Sequence, residues 1–179
     1  MAYSTNGQWL IGATSSWPPS RRGQEWSTTI SIWDSSKYSD RRDANLQFGL
    51  QKVHSIATFG GFVAIGGYQS MMYDIGEVKV VSLDTLDEVG SHHCSTLVKA
   101  VEFQTPTTLA LATPTTLHSS VHVRDRRTAD SGIVFTESDE SREILSLNCH
   151  PTNSNLIAVA GEGIGAIFDI RHPATPTVR

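Results

Sequence analysis

Long apolar runs are missing from this chain. No stretch approaches the 18 or so uninterrupted apolar residues of a membrane-crossing helix, and Trp9–Ala13 is too short for a signal core and has no basic segment before it. The reading is a soluble, intracellular protein without membrane insertion. Cysteine is scarce: two in 179 residues, Cys94 and Cys149, make no disulfide framework and fit a reducing compartment. Positive charge is also short, with 14 Lys and Arg against 18 Asp and Glu. That balance argues against nucleic-acid binding driven by bulk charge. The basic clusters at Arg21-Arg22, Arg41-Arg42 and Arg124–Arg127 sit beside acidic residues and read as solvated loops.

Motifs of catalysis and metal binding are scarce too. No Gly-x-Ser-x-Gly elbow, phosphate loop or HExxH occurs. His92-His93-Cys94 has no second ligand pair at finger spacing. Gly161-x-Gly163-x-Gly165 follows an apolar strand, as a dinucleotide-binding turn does. That turn must open a helix, whereas Ala166–His172 holds two isoleucines and stops at Pro173. The expectation is therefore no catalytic, cofactor or metal site and no enzyme activity.

Helical periodicity is absent as well. Residues 39–47 and 136–142 contain helix formers but no apolar stripe. What the chain does contain is short alternating or apolar segments bounded by Gly, Pro, Asn and Asp, the pattern of an all-β protein. Leu156–Arg171, LIAVAGEGIGAIFDIR, reads as one hairpin with a glycine reversal, and weaker copies precede it. Each copy ends in Asp: Trp33-Asp34, Leu83-Asp84, Arg124-Asp125 and Phe168-Asp169. The intervals are 50, 41 and 44 residues (34 to 84, 84 to 125, 125 to 169). Four strands in a period of about 40–45 residues is the signature of a WD40-type β-propeller. The expected organisation is one partial propeller of about four blades, over residues 1–50, 51–92, 93–136 and 137–179. A seven-bladed ring needs on the order of 300 residues. The array is thus expected to be open, as a fragment, a short form or a part completed by another chain, with the far face of the last blade uncovered. Trp33, Asp34, Asp84, Asp125 and Asp169 are read as structural repeat positions.

Ser95–Pro106, STLVKAVEFQTP, resembles the start of a middle blade in the WD-repeat nucleoporin forty-three family. Leu145–Asp169, with His150-Pro151 and an aromatic–Asp-x-Arg close, resembles the next blade, and Ile30–Trp33 the first ISLW strand. The resemblance implies a non-enzymatic interaction scaffold of the Y-shaped nuclear pore complex. It also implies an α-solenoid nucleoporin as partner, the nuclear envelope as location and, in animals, the kinetochore as a second one. Residues 15–29, 35–45 and 136–142 read as docking loops, with Trp17 and Tyr38 as anchors by type. An alternative reading uses Asp125-x-Arg127 and Asp169-x-Arg171, which resemble the closing motif of WD receptors of cullin-RING ubiquitin ligases. It makes Arg127 and Arg171 candidate adaptor contacts.

Overall fold

A computed structural model describes residues 1–3, 7–16, 27–36, 41–46, 50–70, 75–114, 118–126, 131–137, 143–172 and 177. The described residues form fifteen strands in four antiparallel sheets. The first sheet is β1 (Ala2–Tyr3), β2 (Trp9–Ser16), β3 (Ser27–Asp34) and β4 (Arg41–Leu46). The second is β5 (Lys52–Phe59), β6 (Phe62–Ser70), β7 (Ile75–Ser82) and β8 (Glu88–Cys94). The third is β9 (Ala100–Phe103), β10 (Thr108–Pro114), β11 (Ser119–Asp125) and β12 (Ser131–Glu137). The fourth holds β13 (Ile144–Cys149), β14 (Leu156–Gly161) and β15 (Ile164–Asp169). Every sheet runs in chain order from its inner to its outer strand. Beyond β15, the Thr177 amide donates to the Ile167 carbonyl at 2.7 Å.

Three apolar cores separate the four sheets. Ile11, Ile30 and Ile32 meet Val63, Ile65 and Val81 between the first and second sheets. Ala64, Val78 and Val80 meet Val101, Leu109 and Leu111 between the second and third. Ala110, Ala112 and Val121 meet Leu147, Ile157, Val159 and Phe168 between the third and fourth. The period of two in a strand makes this possible, because alternate residues serve opposite faces. In the second strands of the last three sheets, large residues face the preceding sheet. These are Val63 and Ile65, Leu109 and Leu111, and Ile157 and Val159. Small ones, Ala64 with Gly66, and Ala110 with Ala112, face the following sheet. In the last two seams large side chains then seat on small ones, while Val63 and Ile65 meet Ile11, Ile30 and Ile32. Burying each large side chain is worth roughly 1.5–3 kcal/mol. Ring contacts add to two of the seams: Phe135 stacks on Phe168 at 4.0 Å between centroids, and Phe59 meets Phe103 at 6.0 Å.

Several strand placements differ from the sequence expectation. The outer strand of the first sheet is Arg41–Leu46, most of it within residues 35–45 that were expected to form a docking loop. An outer strand needs no apolar face, and Asp43 accepts hydrogen bonds there from Ser31 at 2.8 Å and Arg41 at 2.7 Å. Leu50 is buried between sheets, and Phe48 lies outside the described residues. The outer strand of the second sheet contains His92, His93 and Cys94, while Leu86 sits in the preceding turn with φ of 64°. The inner strand of the third sheet starts at Ala100.

The repeat position at Asp84 is also displaced. Leu10 pairs with Trp33, Ile157 with Phe168, Leu109 with Arg124 and Val63 with Val81. The residue after Val81 is Ser82, so Ser82 holds the register of Asp34, Asp125 and Asp169, and Asp84 lies in the turn beyond. Sequence spacing alone favoured an Asp over the Ser. The hydroxyl does the same work: Ser82 Oγ accepts from the Thr85 amide at 3.4 Å.

Close backbone approach requires glycine at positions 67 and 161, where Gly67 lies within β6 and Gly161 ends β14, beside bulges in β5 and β13. A Cβ at Gly67 would stand 2.0 Å from the Lys52 carbonyl oxygen, and one at Gly161 1.8 Å from that of Glu143. Gly165 has nothing within 4 Å. Gly161→Ala is expected to cost at least the 1–3 kcal/mol of a strained core insertion, and Gly165→Ala to stay within about 0.5 kcal/mol of the parent. Urea denaturation of the two variants checks the difference; equal midpoints would remove the bulge argument.

Candidate interaction surface

The strands place the connections in two groups. The ends of β2 and β12 that flank residues 17–26 and 138–142 lie at one end of the array, with the β14–β15 reversal at Glu162-Gly163. The end of β3 that precedes residues 37–40 lies at the other, with the strand-end aspartates. Of the three expected docking loops, Ser15, Ser16, Ser27–Thr29, Arg41–Asn45, Thr136 and Glu137 are strand residues instead. Trp17 and Tyr38 lie outside the described residues, as does Arg127.

At the first end, Lys99 and Glu143 pair at 2.9 Å, joining the segment that leads into β9 to the one that leads into β13. The Ser119 hydroxyl accepts from the Ile144 amide at 3.3 Å. His54 faces Tyr68 at 5.7 Å between rings. Burial, then Lys52 and Lys99, hold its pKa below the ordinary 6.5.

At the opposite end Asp34 and Asp169, like Ser82, cap their own turns. Asp34 Oδ1 accepts from the Ser36 amide at 2.8 Å and its hydroxyl at 2.6 Å. Asp169 Oδ1 accepts from the Arg171 amide at 2.9 Å, and the Arg171 guanidinium grips the same carboxylate at 2.5 Å. These bonds from Arg171 hold Asp169 at a pKa of about 2. Arg171 thus pairs within its turn while 61% of its side chain stays exposed. Trp33 is half-buried beside Arg41, at 5.7 Å from its ring, and Asp125 is half-buried opposite Thr108. His150 is a turn residue, its Nδ1 accepting from the Asn153 amide at 3.0 Å.

Between the second and third sheets the outer half of the seam is polar. Arg124 stands where the other sheets place Trp33, Val81 and Phe168, and donates from Nη1 to the His93 carbonyl at 3.0 Å. His92, 5% exposed, faces it from β8. Arg126 lies over the Phe62 ring at 3.9 Å. Four of the five buried side-chain nitrogen or oxygen atoms without a hydrogen-bond partner among the described residues lie here: His92 Nε2, His122 Nδ1, Arg124 Nε and Arg126 Nε. On the other face of β7 and β8, buried Glu77 takes Lys79 at 2.7 Å and Ser91 at 2.9 Å. The Arg124 seam was readable from sequence, since Arg124 precedes its Asp just as Trp33 and Phe168 precede theirs. Glu77 carries no such signal, because its burial depends on Lys79 and Ser91 arriving from two strands.

The titratable groups are poised for packing. Burial pushes the Cys149 thiol up to about 12 and raises that of Cys94, so neither is a ready thiolate. Burial likewise raises Glu102, which faces the fourth sheet near Cys149. Among the described residues, no group of three or more His, Cys, Asp and Glu is arranged to hold a metal ion.

No family model matches this chain, and no curated protein matches it. Solved structures do. A chain of the mitotic checkpoint complex matches with a TM-score of 0.63 at 13% identity, over 98% of this chain and 49% of that one. The β-propeller domain of Cps50 (Swd1) from Myceliophteria thermophila matches at 0.58 and 11%, over 90% and 55%. The WD40 domain of Pan2 from Neurospora crassa matches at 0.57 and 15%, over 78% and 45%. The chain spans about half the length of these structures. The fold is a WD40-type β-propeller array whose four sheets do not close into a ring.

Burial, followed by the nearby Arg124, keeps both His92 and His122 below the ordinary histidine value of 6.5. The unfolded chain therefore takes up protons first as pH falls through 6.5, and the folded state loses stability until the depressed folded values are reached. Above that range both states are neutral and nothing changes. Urea midpoints are expected to fall between pH 7.5 and pH 5 more steeply in the parent than in a His54→Gln, His92→Gln, His122→Gln variant. Parallel pH curves would contradict it.

Proposed function

We propose that this chain is a non-enzymatic protein-interaction scaffold. The observation that carries the reading is the WD40-type stack itself. Its interior faces are consumed by sheet-on-sheet packing, so the side chains that remain for recognition lie on turns and strand ends at the two ends of the array. The finer reading is a structural nucleoporin of the Y-shaped complex of the nuclear pore. It acts at the nuclear envelope in transport of protein and mRNA, and at kinetochores in animals, with an α-solenoid nucleoporin as partner. Its support is the STLVKAVEFQTP stretch, which forms the approach to β9, β9 itself and the turn after it. In that turn Thr105 Oγ1 accepts from the Thr107 and Thr108 amides at 3.2 and 3.1 Å.

A second reading is the substrate receptor of a cullin-RING ligase. The observation in its favour is the exposed Arg171 guanidinium, held in a fixed position by Asp169. The two readings differ in what co-purifies. With the tagged chain expressed in cells and bound proteins quantified, the nucleoporin reading expects Y-complex scaffold proteins, unaffected by Arg171→Ala, and a rim of label at the nuclear envelope. Recovery of the ligase adaptor, lost on Arg171→Ala, would replace it with the receptor.

A further inference from the structure

The polar outer half of the seam between the second and third sheets holds donors without acceptors. A guanidinium keeps its protons throughout the physiological range and accepts no hydrogen bond. Arg124 Nε and Arg126 Nε are both buried with no acceptor among the described residues. Arg124 Nη1 donates to the His93 carbonyl at 3.0 Å, which holds the planar group in place. His92 Nε2 is buried and unpartnered as well, on a side chain only 5% exposed, and His122 Nδ1 completes the set. A neutral imidazole can carry its proton on the unpartnered nitrogen and donate from it.

Strand pairing puts these groups on facing walls. Arg124 and His122 stand opposite Leu109 and Leu111 in the third sheet, whose side chains pack on the second. His92 stands opposite Val78 in the second sheet, whose side chain packs on the third. Nitrogens of β8 and β11 thus meet across the seam, where the Arg124 charge acts on both imidazoles. Arg124 and Arg126 bring two positive charges to this region, and half-buried Asp125 one negative. A metal ion does not fit here, because a guanidinium repels a cation and no metal-holding group of His, Cys, Asp and Glu exists among the described residues.

We propose that the outer half of this seam binds a phosphoryl group, either as free phosphate or carried on a phosphorylated side chain. Arg124 supplies a fixed charge and its Nε donor, and His92 and His122 donate from the two walls. Donors that arrive from two strands suit a tetrahedral oxyanion better than a planar carboxylate. Guanidinium–phosphate pairs are also among the stronger hydrogen bonds. Entry is from the rim, by a local parting of side chains along β8. There His93 leaves 68% of its side chain exposed, and His122, Arg124 and Arg126 are only half-buried. The site does not depend on which partner docks at the ends of the array.

NMR titration of the isotope-labelled 179-residue chain with sodium phosphate, against sodium chloride of matched ionic strength, tests this. The expected result is saturable movement of the amide signals of residues 92–94 and 123–126 with phosphate alone. Arg124→Leu places an apolar side chain where the other sheets have Trp33, Val81 and Phe168, so it is expected to fold. Its phosphate affinity is expected to fall at least about tenfold. His122→Leu, at a half-buried position, is a second variant expected to weaken binding. Lys52→Gln removes an exposed cation outside the seam and is expected to bind as the parent does. O-phosphoserine separates the two sources: binding like that of phosphate supports a phosphorylated side chain as ligand, and binding of inorganic phosphate alone supports the free ion. No saturable response, an equal response to chloride, or binding that survives both Arg124→Leu and His122→Leu overturns the proposal. So does phosphate binding that appears only in Asp130→Asn, because a carboxylate of the chain itself then fills the seam.

Discussion

Apolar side chains of one sheet packed on those of the sheet before it hold this structure together. Val63 and Ile65, Leu109 and Leu111, and Ile157 and Val159 all point backward, and Ala64 and Gly66, and Ala110 and Ala112, point forward. No single sheet buries both its faces, so each becomes stable only when its neighbours arrive. The bulges at β5 and β13, and the glycines they require, serve the same end. They let β6 and β14 lie close against their inner strands so that the alternation stays in phase across the stack.

The seam between the second and third sheets departs from this rule. Arg124 and His122 occupy positions that Phe168 and Ala166 fill in the fourth sheet. Arg124 is tied to the His93 carbonyl, and Arg126 rests on Phe62. Several nitrogens in this seam are buried without a hydrogen-bond partner among the described residues, a costly arrangement compared with apolar packing. The inner half of the same seam compensates with Phe59, Phe103, Leu109 and Leu111. The outer half is therefore the part of the stack most sensitive to protonation, since buried His92 and half-buried His122 face a fixed positive charge there.

Much of the stack was legible in the sequence. Short apolar or alternating runs between turn residues marked β2–β3, β6–β7, β10–β11 and β14–β15. The outer strands were harder. Arg41–Leu46 and Glu88–Cys94 look like loops because an edge strand facing solvent needs no apolar stripe. Asp84 was misplaced because register depends on pairing with β6, and a serine at 82 performs the capping that the other sheets give to aspartate. The local pairing of Arg171 with Asp169 follows from their spacing across one turn, whereas the burial of Glu77 does not.

The sequence by itself determined that this is an all-strand chain of recurring four-stranded units. Alternation and turn residues are local properties, written within a few positions of each other. The tertiary structure decided which face of each unit looks forward, which residues cap the turns and where charge is buried. Those outcomes depend on contacts between residues tens of positions apart, such as Arg124 with His93.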